Sequence, residues 1–587
     1  MFKLLKNFPK KDIFLVVIVL LLICFQVFLD LQLPDYMSTI TQLISNENPE
    51  VSEIIKNGGF MMACALGSMV AAMIVGYLVA NISASFSMKI RKRLFDKVES
   101  LSMAEVKKFS VASLITRTTN DITQVQMFMV MGLQMMIKAP ITAIWAIVKI
   151  LDKSWEWSAA TGVAVVLLLG MVAALMAIVI PRFKIIQKLT DKLNLVTREN
   201  LTGIRVVRAF NAEKYQEKKF KQANDELTNT QIFSQKALSI FSPMMFFIMN
   251  ALTITIYFIG AHLIEGTVSP QEKLLVFSNM VVFSSYAMQV IMSFLMLAVI
   301  FMMVPRAQVS ASRINEVLEE KLTIKEGKRN VTATNEAGTV EFKNVSFRYP
   351  DSEEYLLRDI SFRAEQGQTV AFIGSTGSGK STLINLIPRF YDATDGEVLV
   401  DGVNVKEYTF ESLYNKLGYV PQKAVLMSGT VASNVSFGDN GKGKKTEKII
   451  KQAIKVAQGT EFVEKMDKGY ESHIAQGGTN ISGGQKQRLS IARAIARDPE
   501  IYIFDDSFSA LDYKTDAALR SDLKKHTKEA TTLIVAQRIG TIMHADKIIV
   551  LDSGKSVGIG THKELLKSCP VYREIAESQL SQTELEL

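Results

Sequence analysis

The sequence predicts two unlike parts: a membrane all-α domain of six helices with long cytoplasmic helical extensions, then an α/β P-loop domain. Three observations carry this. Six long apolar runs precede residue 305. A glycine-rich string ending in Gly-Lys-Ser lies between a predicted strand and a predicted helix in the second half. The mean hydropathy of +0.18 is high for a soluble chain, although 21% of residues are charged, so it averages an apolar half with a polar one.

The apolar runs cover about residues 13–33, 57–81, 129–151, 157–181, 241–264 and 275–304. Each approaches or exceeds the ~20 residues a helix needs to cross ~30 Å of hydrocarbon. The first follows Lys3, Lys6, Lys10 and Lys11, as a signal peptide would. No small-residue cleavage site comes after it and further spans do, so it reads as a retained helix. Lys and Arg set the orientation. They crowd the N-terminus, the segment from Lys89 to Lys108, and the segment from Arg182 to Arg208. The loop after the first span is acidic instead, with Asp35, Glu47, Glu50 and Glu53. Both termini and the two long loops are therefore expected in the cytoplasm. These loops have helical apolar spacing, as in Ile204, Val207 and Phe210. They read as helices running ~35–40 Å beyond the bilayer at 1.5 Å per residue. Polar groups inside spans are costly. Lys138 and Lys149 lie eleven residues apart in the third span, near one face. They read either as lining a positive cavity or as snorkelling to the two interfaces.

The net charge of +9 then becomes a topology signal, and nucleic acid is not an expected partner. Three cysteines in 587 residues exclude a disulfide scaffold. Cys24, Cys64 and Cys569 read as small packing residues.

A membrane domain over 1–310 gives way to a charged linker over 311–338, a nucleotide-binding domain over 339–579 and a tail over 580–587. Val340, Phe342, Val345 and Phe347 alternate as in a strand. A short apolar run, 369–373, leads into Gly374, Ser375, Thr376, Gly377, Ser378, Gly379, Lys380, Ser381 and Thr382, the expected nucleotide-binding residues, and a helix with Leu383, Leu386, Ile387 and Phe390 comes next. This is the P-loop in its required strand–loop–helix context. Its glycines let backbone N–H groups converge on phosphate oxygens. Lys380 is expected to reach the β and γ phosphates and Ser381 to ligate Mg²⁺. A second apolar strand ends at Asp505, a carboxylate suited to the same Mg²⁺. The neighbouring Asp506 stands where the attacking water is oriented.

The run Ile481, Ser482, Gly483, Gly484, Gln485, Lys486, Gln487, Arg488 resembles the signature motif of ATP-binding cassette (ABC) proteins. Gln422 resembles the Q-loop glutamine, partly a Mg²⁺ ligand through water, and Asp512 the D-loop aspartate. Tyr349 resembles the aromatic residue that stacks on adenine. With six spans ahead of these motifs, the whole chain resembles an ABC exporter half-transporter. The resemblance implies a dimer in which each ATP lies between one P-loop and the partner's signature motif. It also implies short coupling helices, expected near 106–116 and 204–215.

Two departures stand out. The family has glutamate after the strand-ending aspartate, and this chain has Asp506. It has histidine after the next strand, and this chain has Gln537, which can hydrogen-bond but carries no charge. With Ser482 to Gln485 intact, this resembles the degenerate-site subunit of a bacterial heterodimeric multidrug ABC exporter. The expectation is therefore half of a machine: an ATPase and translocase in the cell membrane that needs a second, different half-transporter. It would export small amphipathic or drug-like molecules using ATP and Mg²⁺. A regulatory or sensor subunit that does not transport, and a homodimeric lipid or peptide exporter, stay open as alternatives.

Overall fold

The apolar runs become the middle portions of much longer helices. The computed structural model describes residues 3, 10–44, 50–151, 153, 155–331 and 336–581. Among these, six helical stretches are long and apolar enough to cross a membrane: Lys11–Ile44, Val51–Glu99, Val111–Leu151, Trp155–Thr202, Glu213–Glu265 and Pro270–Leu318. They are called the first to sixth spans below. Val51–Glu99 alone has 49 residues, about 70 Å at 1.5 Å per residue and over twice the hydrocarbon thickness. The polar loops are thus helical, because their 3.6-residue periodicity continues that of the spans. The third span is interrupted by π-helical turns at Arg117–Asp121 and Gly132–Met136.

The described chain divides into two units. One is Met1–Glu99 with Val111–Glu320, and the other is Ser100–Ser110 with Lys321–Leu587. The core of the first unit packs Val19, Ile23, Val27, Val79, Leu168, Ile256 and Tyr286. Trp157, fully buried, donates from Nε1 to the Ile256 carbonyl at 3.1 Å and tilts against Phe283. Phe247, Ile254 and Phe258 of the fifth span are exposed at seven- and four-residue spacing, which keeps them on one helical face, the pattern of a lipid-facing stripe.

Lys138 and Lys149 each find an acid on the first span. Lys138 Nζ lies 3.1 Å from Asp30 Oδ2, and Lys149 Nζ lies 2.7 Å from Asp35 Oδ2. An unpaired ion inside a span is costly, and each lysine has a counter-ion on the first span.

In the second unit, β1 (Val340–Phe347), β2 (Leu357–Ala364), β3 (Thr369–Gly374), β4 (Asp395–Val400) and β5 (Val403–Asn404) come first. β6 (Leu417–Val420), β7 (Gly429–Thr430), β8 (His473–Ile474) and β9 (Ile501–Asp505) follow. β10 (Thr531–Val535), β11 (Lys547–Asp552) and β12 (Lys555–Gly560) complete the set. One sheet runs β12-β11-β3-β10-β9-β6 and another β2-β1-β4-β5. The first is parallel from β11 to β6. Successive residues of its strands feed two cores: Val370 and Phe372 face one, Ala371 and Ile373 the other. A parallel sheet covered on both faces needs such continuous apolar strands.

The sixth span stays helical to Leu318, so the linker expected from 311 begins only at Glu319. Lys6, Glu47, linker residues 332–335 and tail residues 582–587 lie outside the described residues.

The helix Met103–Phe109, slightly earlier than the coupling segment expected at 106–116, belongs to the second unit. Its Glu105 is buried and accepts from Ser102 N at 2.6 Å and from Thr323 N and Oγ1 at 3.2 and 2.6 Å. Burial pushes this carboxyl up, but hydrogen bonds from Ser102 and Thr323 outweigh it and hold the carboxyl below its ordinary value. The second expected segment, 204–215, contains the helix Ile204–Ala209 of the first unit.

Candidate functional site

The carboxyl ends of β3, β9 and β10 meet where ligands bind in open parallel α/β sheets. β3 ends at Gly374, and the loop reaches the helix Lys380–Asn385. A Cβ on Gly374 would stand 2.0 Å from the Leu551 carbonyl oxygen, so a side chain there would displace the loop. Gly379, with φ +95°, holds a left-handed conformation at the helix entrance that other residues adopt at a cost.

Lys380 folds back over this loop. Its Nζ donates to the Gly374 and Ser375 carbonyls at 2.8 and 2.7 Å and to Ser378 Oγ at 3.4 Å. Burial pulls its pKa below the ordinary value, against the pull of Asp506 and Asp505. A desolvated ammonium whose hydrogen-bond acceptors are neutral is suited to an anion. Ser381 Oγ donates to Asp505 Oδ1 at 2.7 Å. Burial pushes the Asp505 carboxyl up, and the Ser381 hydrogen bond opposes this. A hydroxyl and a carboxylate in contact supply two hard oxygens, and Mg²⁺ characteristically completes its shell with phosphates and water.

Asp506 follows at φ +46° and is buried. Its Oδ2 accepts from Gln537 Nε2 at 2.7 Å and from Gln422 Nε2 at 3.3 Å. Its backbone N–H donates to the Val535 carbonyl at 3.0 Å. The strands β9 and β10 thus bring together the two residues that depart from the family pattern, and the glutamine after β6 joins them.

Tyr349 donates or accepts through its hydroxyl with Thr382 Oγ1 at 2.9 Å. Its ring meets Tyr391 edge-on, with centroids 5.3 Å apart, and Lys107 Nζ sits 5.4 Å from the ring centroid. A cavity of about 440 Å³ beside it is lined by Ser102, Thr323, Phe347, Tyr349, Tyr391 and Asp392, among others. Tyr391 escaped the sequence reading, and Lys107 was read only as part of the basic segment that sets orientation. Tyr391 directly follows Phe390 after the P-loop helix, and that aromatic pair was the available signal.

The signature residues stand apart from this cluster. Ser482 caps the helix Gly483–Arg497, exchanging hydrogen bonds with Gln485, and Ser482 and Gly483 are exposed. Among the described residues, Ser482 to Gln485 make no hydrogen bond to the P-loop. Asp512 is exposed and caps the helix Tyr513–His526 by accepting from Thr515 N at 3.0 Å.

Comparison with known proteins agrees with this geometry. The family described as ABC transporter transmembrane region matches residues 16–294, and the family described as ABC transporter matches residues 357–509. An uncharacterised ABC transporter ATP-binding protein of Mycobacterium tuberculosis is 38% identical over 522 residues, covering 89% of this chain and 87% of its own. The ATP-dependent lipid A-core flippase of Pseudomonas aeruginosa is 32% identical over 494 residues, covering 84% of this chain and 79% of its own. A solved bacterial Atm1-family ABC exporter with ATP bound superposes with TM-score 0.80 at 22% identity, covering 98% of this chain and 100% of that one. The chain belongs to the ABC transporter family, with membrane and ATPase domains fused, and its ATPase domain binds ATP with Mg²⁺.

Proposed function

We propose that this ABC transporter chain is one half of an ATP-driven exporter of small amphipathic molecules and works beside an unlike half. The hydrogen bond from Gln537 to Asp506 at 2.7 Å carries the reading. Asp506 is one methylene shorter than the glutamate of the family pattern. The oxygen that would orient water already accepts from two neutral amides. Gln537 can hydrogen-bond a phosphate but brings no positive charge to it. The site should hold ATP and turn it over slowly.

In this reading the P-loop from Gly374 to Thr382 cradles the phosphates, and Lys380 faces their charge. Ser381, Asp505 and, through water, Gln422 hold Mg²⁺, which neutralises charge developing on the phosphate oxygens. Tyr349 packs on adenine. Ser482, Gly483 and Asp512, which are exposed, together with the half-buried Gly484 and Gln485, face a partner's nucleotide in this reading. The partner supplies the glutamate and histidine that Asp506 and Gln537 replace. Both termini and the ATPase domain lie in the cytoplasm, in keeping with the Lys and Arg flanking the spans.

The test is copurification from native membrane under mild detergent. A second, different half-transporter in equal amount supports the reading. A species containing two copies of this chain and nothing else overturns it. That second result would favour a homodimeric exporter, and the 32% identity to the lipid A-core flippase supports a lipid cargo for it.

A further inference from the structure

We infer that Lys138 and Lys149 form a two-step receptor for an anionic group on the exported molecule, a phosphate or carboxylate carried by an amphiphile. The inference rests on the export reading and names its cargo class.

The two ion pairs are asymmetric. Asp30 Oδ2 accepts from Lys138 at 3.1 Å, while its Oδ1 accepts from the Ser68 hydroxyl. Asp35 Oδ2 accepts from Lys149 at 2.7 Å, while its Oδ1 accepts from the Tyr286 hydroxyl at 2.7 Å. Each aspartate therefore keeps a donor if its lysine leaves. Among the described residues, each lysine has its aspartate as its one hydrogen-bond partner. The lysines are the releasable halves. An arriving oxyanion can take an ammonium and leave a hydrogen-bonded carboxylate behind. An arriving cation would take the carboxylate and leave the ammonium without a protein acceptor, whereas each aspartate keeps a hydroxyl donor when its lysine is taken. The arrangement selects anions.

The four side chains are not sealed in. Lys138 and Asp30 keep 30% and 28% of their side-chain exposure, and Lys149 and Asp35 keep 32% and 33%. Charge turned towards hydrocarbon is disfavoured, which favours a water-accessible face for Lys138 and Asp30, while Lys149 and Asp35 lie at the outer end of the apolar runs 129–151 and 13–33. Both lysines lie on the helix Ile137–Leu151. Eleven residues return a helix to within ~20° of the same face and advance it ~16 Å, so the lysines form successive steps along one side. The π-helical turn Gly132–Met136 immediately precedes them, and such turns recur at functional sites. Beyond the outer pair the first and sixth spans continue in neutral polar contact, Ser38 Oγ to Ser278 Oγ at 2.7 Å.

Trp145, between the two lysines and 5.7 Å from Phe28, offers a reporter. The full chain, with its partner if one copurifies, is titrated in nanodiscs without ATP while tryptophan fluorescence is followed. The probes are lysophosphatidic acid, sodium phosphate, and an alkyltrimethylammonium salt of matched chain length. Saturable binding of an anionic probe is expected, weakened at least about tenfold by Lys138→Gln and by Lys149→Gln, a tenfold step being 1.4 kcal/mol. Asp30→Asn, which frees Lys138, should tighten it. Lysine dependence with lysophosphatidic acid assigns a lipid headgroup; lysine dependence with phosphate assigns a free oxyanion. If Lys138→Gln fails to fold, the pair Asp30→Asn with Lys138→Gln is neutral on both sides and must show the same loss. Anion binding that ignores both lysines overturns the site, as does saturable binding of the cation that Asp30→Asn abolishes. Because the titration uses no ATP, a chain that binds anions but does not transport refutes export and leaves the site standing.

Discussion

Restoring the family residues at Asp506 and Gln537 should restore hydrolysis, and the order of restoration matters. A glutamate would carry its carboxylate ~1–1.5 Å further than Asp506 does, and a misplacement of ~1 Å can cost ~100-fold in rate. That is about 2.7 kcal/mol at 1.36 kcal/mol per tenfold. The longer acid has little room, however, because Gln537 Nε2 already stands 2.7 Å from the Asp506 carboxylate. Asp506→Glu alone should therefore gain less than ~10-fold, and the pair Asp506→Glu with Gln537→His should approach ~100-fold. Groups in contact couple non-additively in this way. In the proposed arrangement, Ser482 to Gln485 of one restored copy would complete the site of a second copy brought together in the same nanodisc. The assay is phosphate release at saturating MgATP from the full chain in nanodiscs, with nucleotide affinity measured in parallel. Affinity should change little, since the substitutions touch charge that develops in the transition state. Two results would refute the reasoning. One is a parent chain already turning over in the ordinary ~1–10³ s⁻¹ range and silenced by Lys380→Ala. The other is a doubly restored chain that binds ATP and stays slow.

Further outcomes follow from other contacts. Gly374→Ala sets a Cβ 2.0 Å from the Leu551 carbonyl oxygen. It should lower nucleotide affinity by the equivalent of about 1–3 kcal/mol of backbone strain, read by nucleotide titration, with thermal unfolding as the control for folding. Lys416 lies 2.7 Å from Asp401 and 3.1 Å from Glu500, nearly inaccessible. Lys416→Met strands the buried Asp401 carboxylate, Glu500 being 39% exposed, and should cost about 3 kcal/mol. Burial already pushes the Glu500 carboxyl above its ordinary 4.5. A raised carboxyl adds stability in acid that is lost as pH rises through its folded pKa. The deficit of Lys416→Met should therefore shrink in thermal unfolding as pH falls from neutral through the raised folded pKa of Glu500. Glu105 has the opposite sign: its depressed carboxyl contributes stability above 4.5 that is lost as pH falls through the folded value. Glu105→Gln should remove that acid-limb dependence and cost about 1.5–3 kcal/mol of charged hydrogen bonding, read as unfolding temperature against pH.

The sequence was most legible where chemistry is local. Hydropathy located the spans because a run of apolar side chains reports directly on its own surroundings. The P-loop was readable because strand, glycines, lysine and helix are contiguous. What stayed hidden were pairings made by folding. Asp30 and Lys138 are 108 residues apart, so a lysine in a span looked like a choice between cavity and interface. Asp506 and Gln537 were both singled out, yet only the parallel pairing of β9 with β10 sets them 2.7 Å apart. The linker boundary moved to Glu319 because 311–318 is polar enough to resemble linker while keeping the helical period of the sixth span.

The eleven residues Ser100–Ser110 belong with the ATPase unit while the helices on either side belong with the membrane unit. The backbone therefore passes between the units near 99, near 110 and near 320, and a single cut at the linker does not part them. For anyone grafting this cassette onto another transporter, the transplantable piece is discontinuous. A graft taken from Lys321 onward leaves behind Glu105, the acceptor for Thr323, and Lys107, the cation beside Tyr349. Residues 100–110 must travel with the cassette.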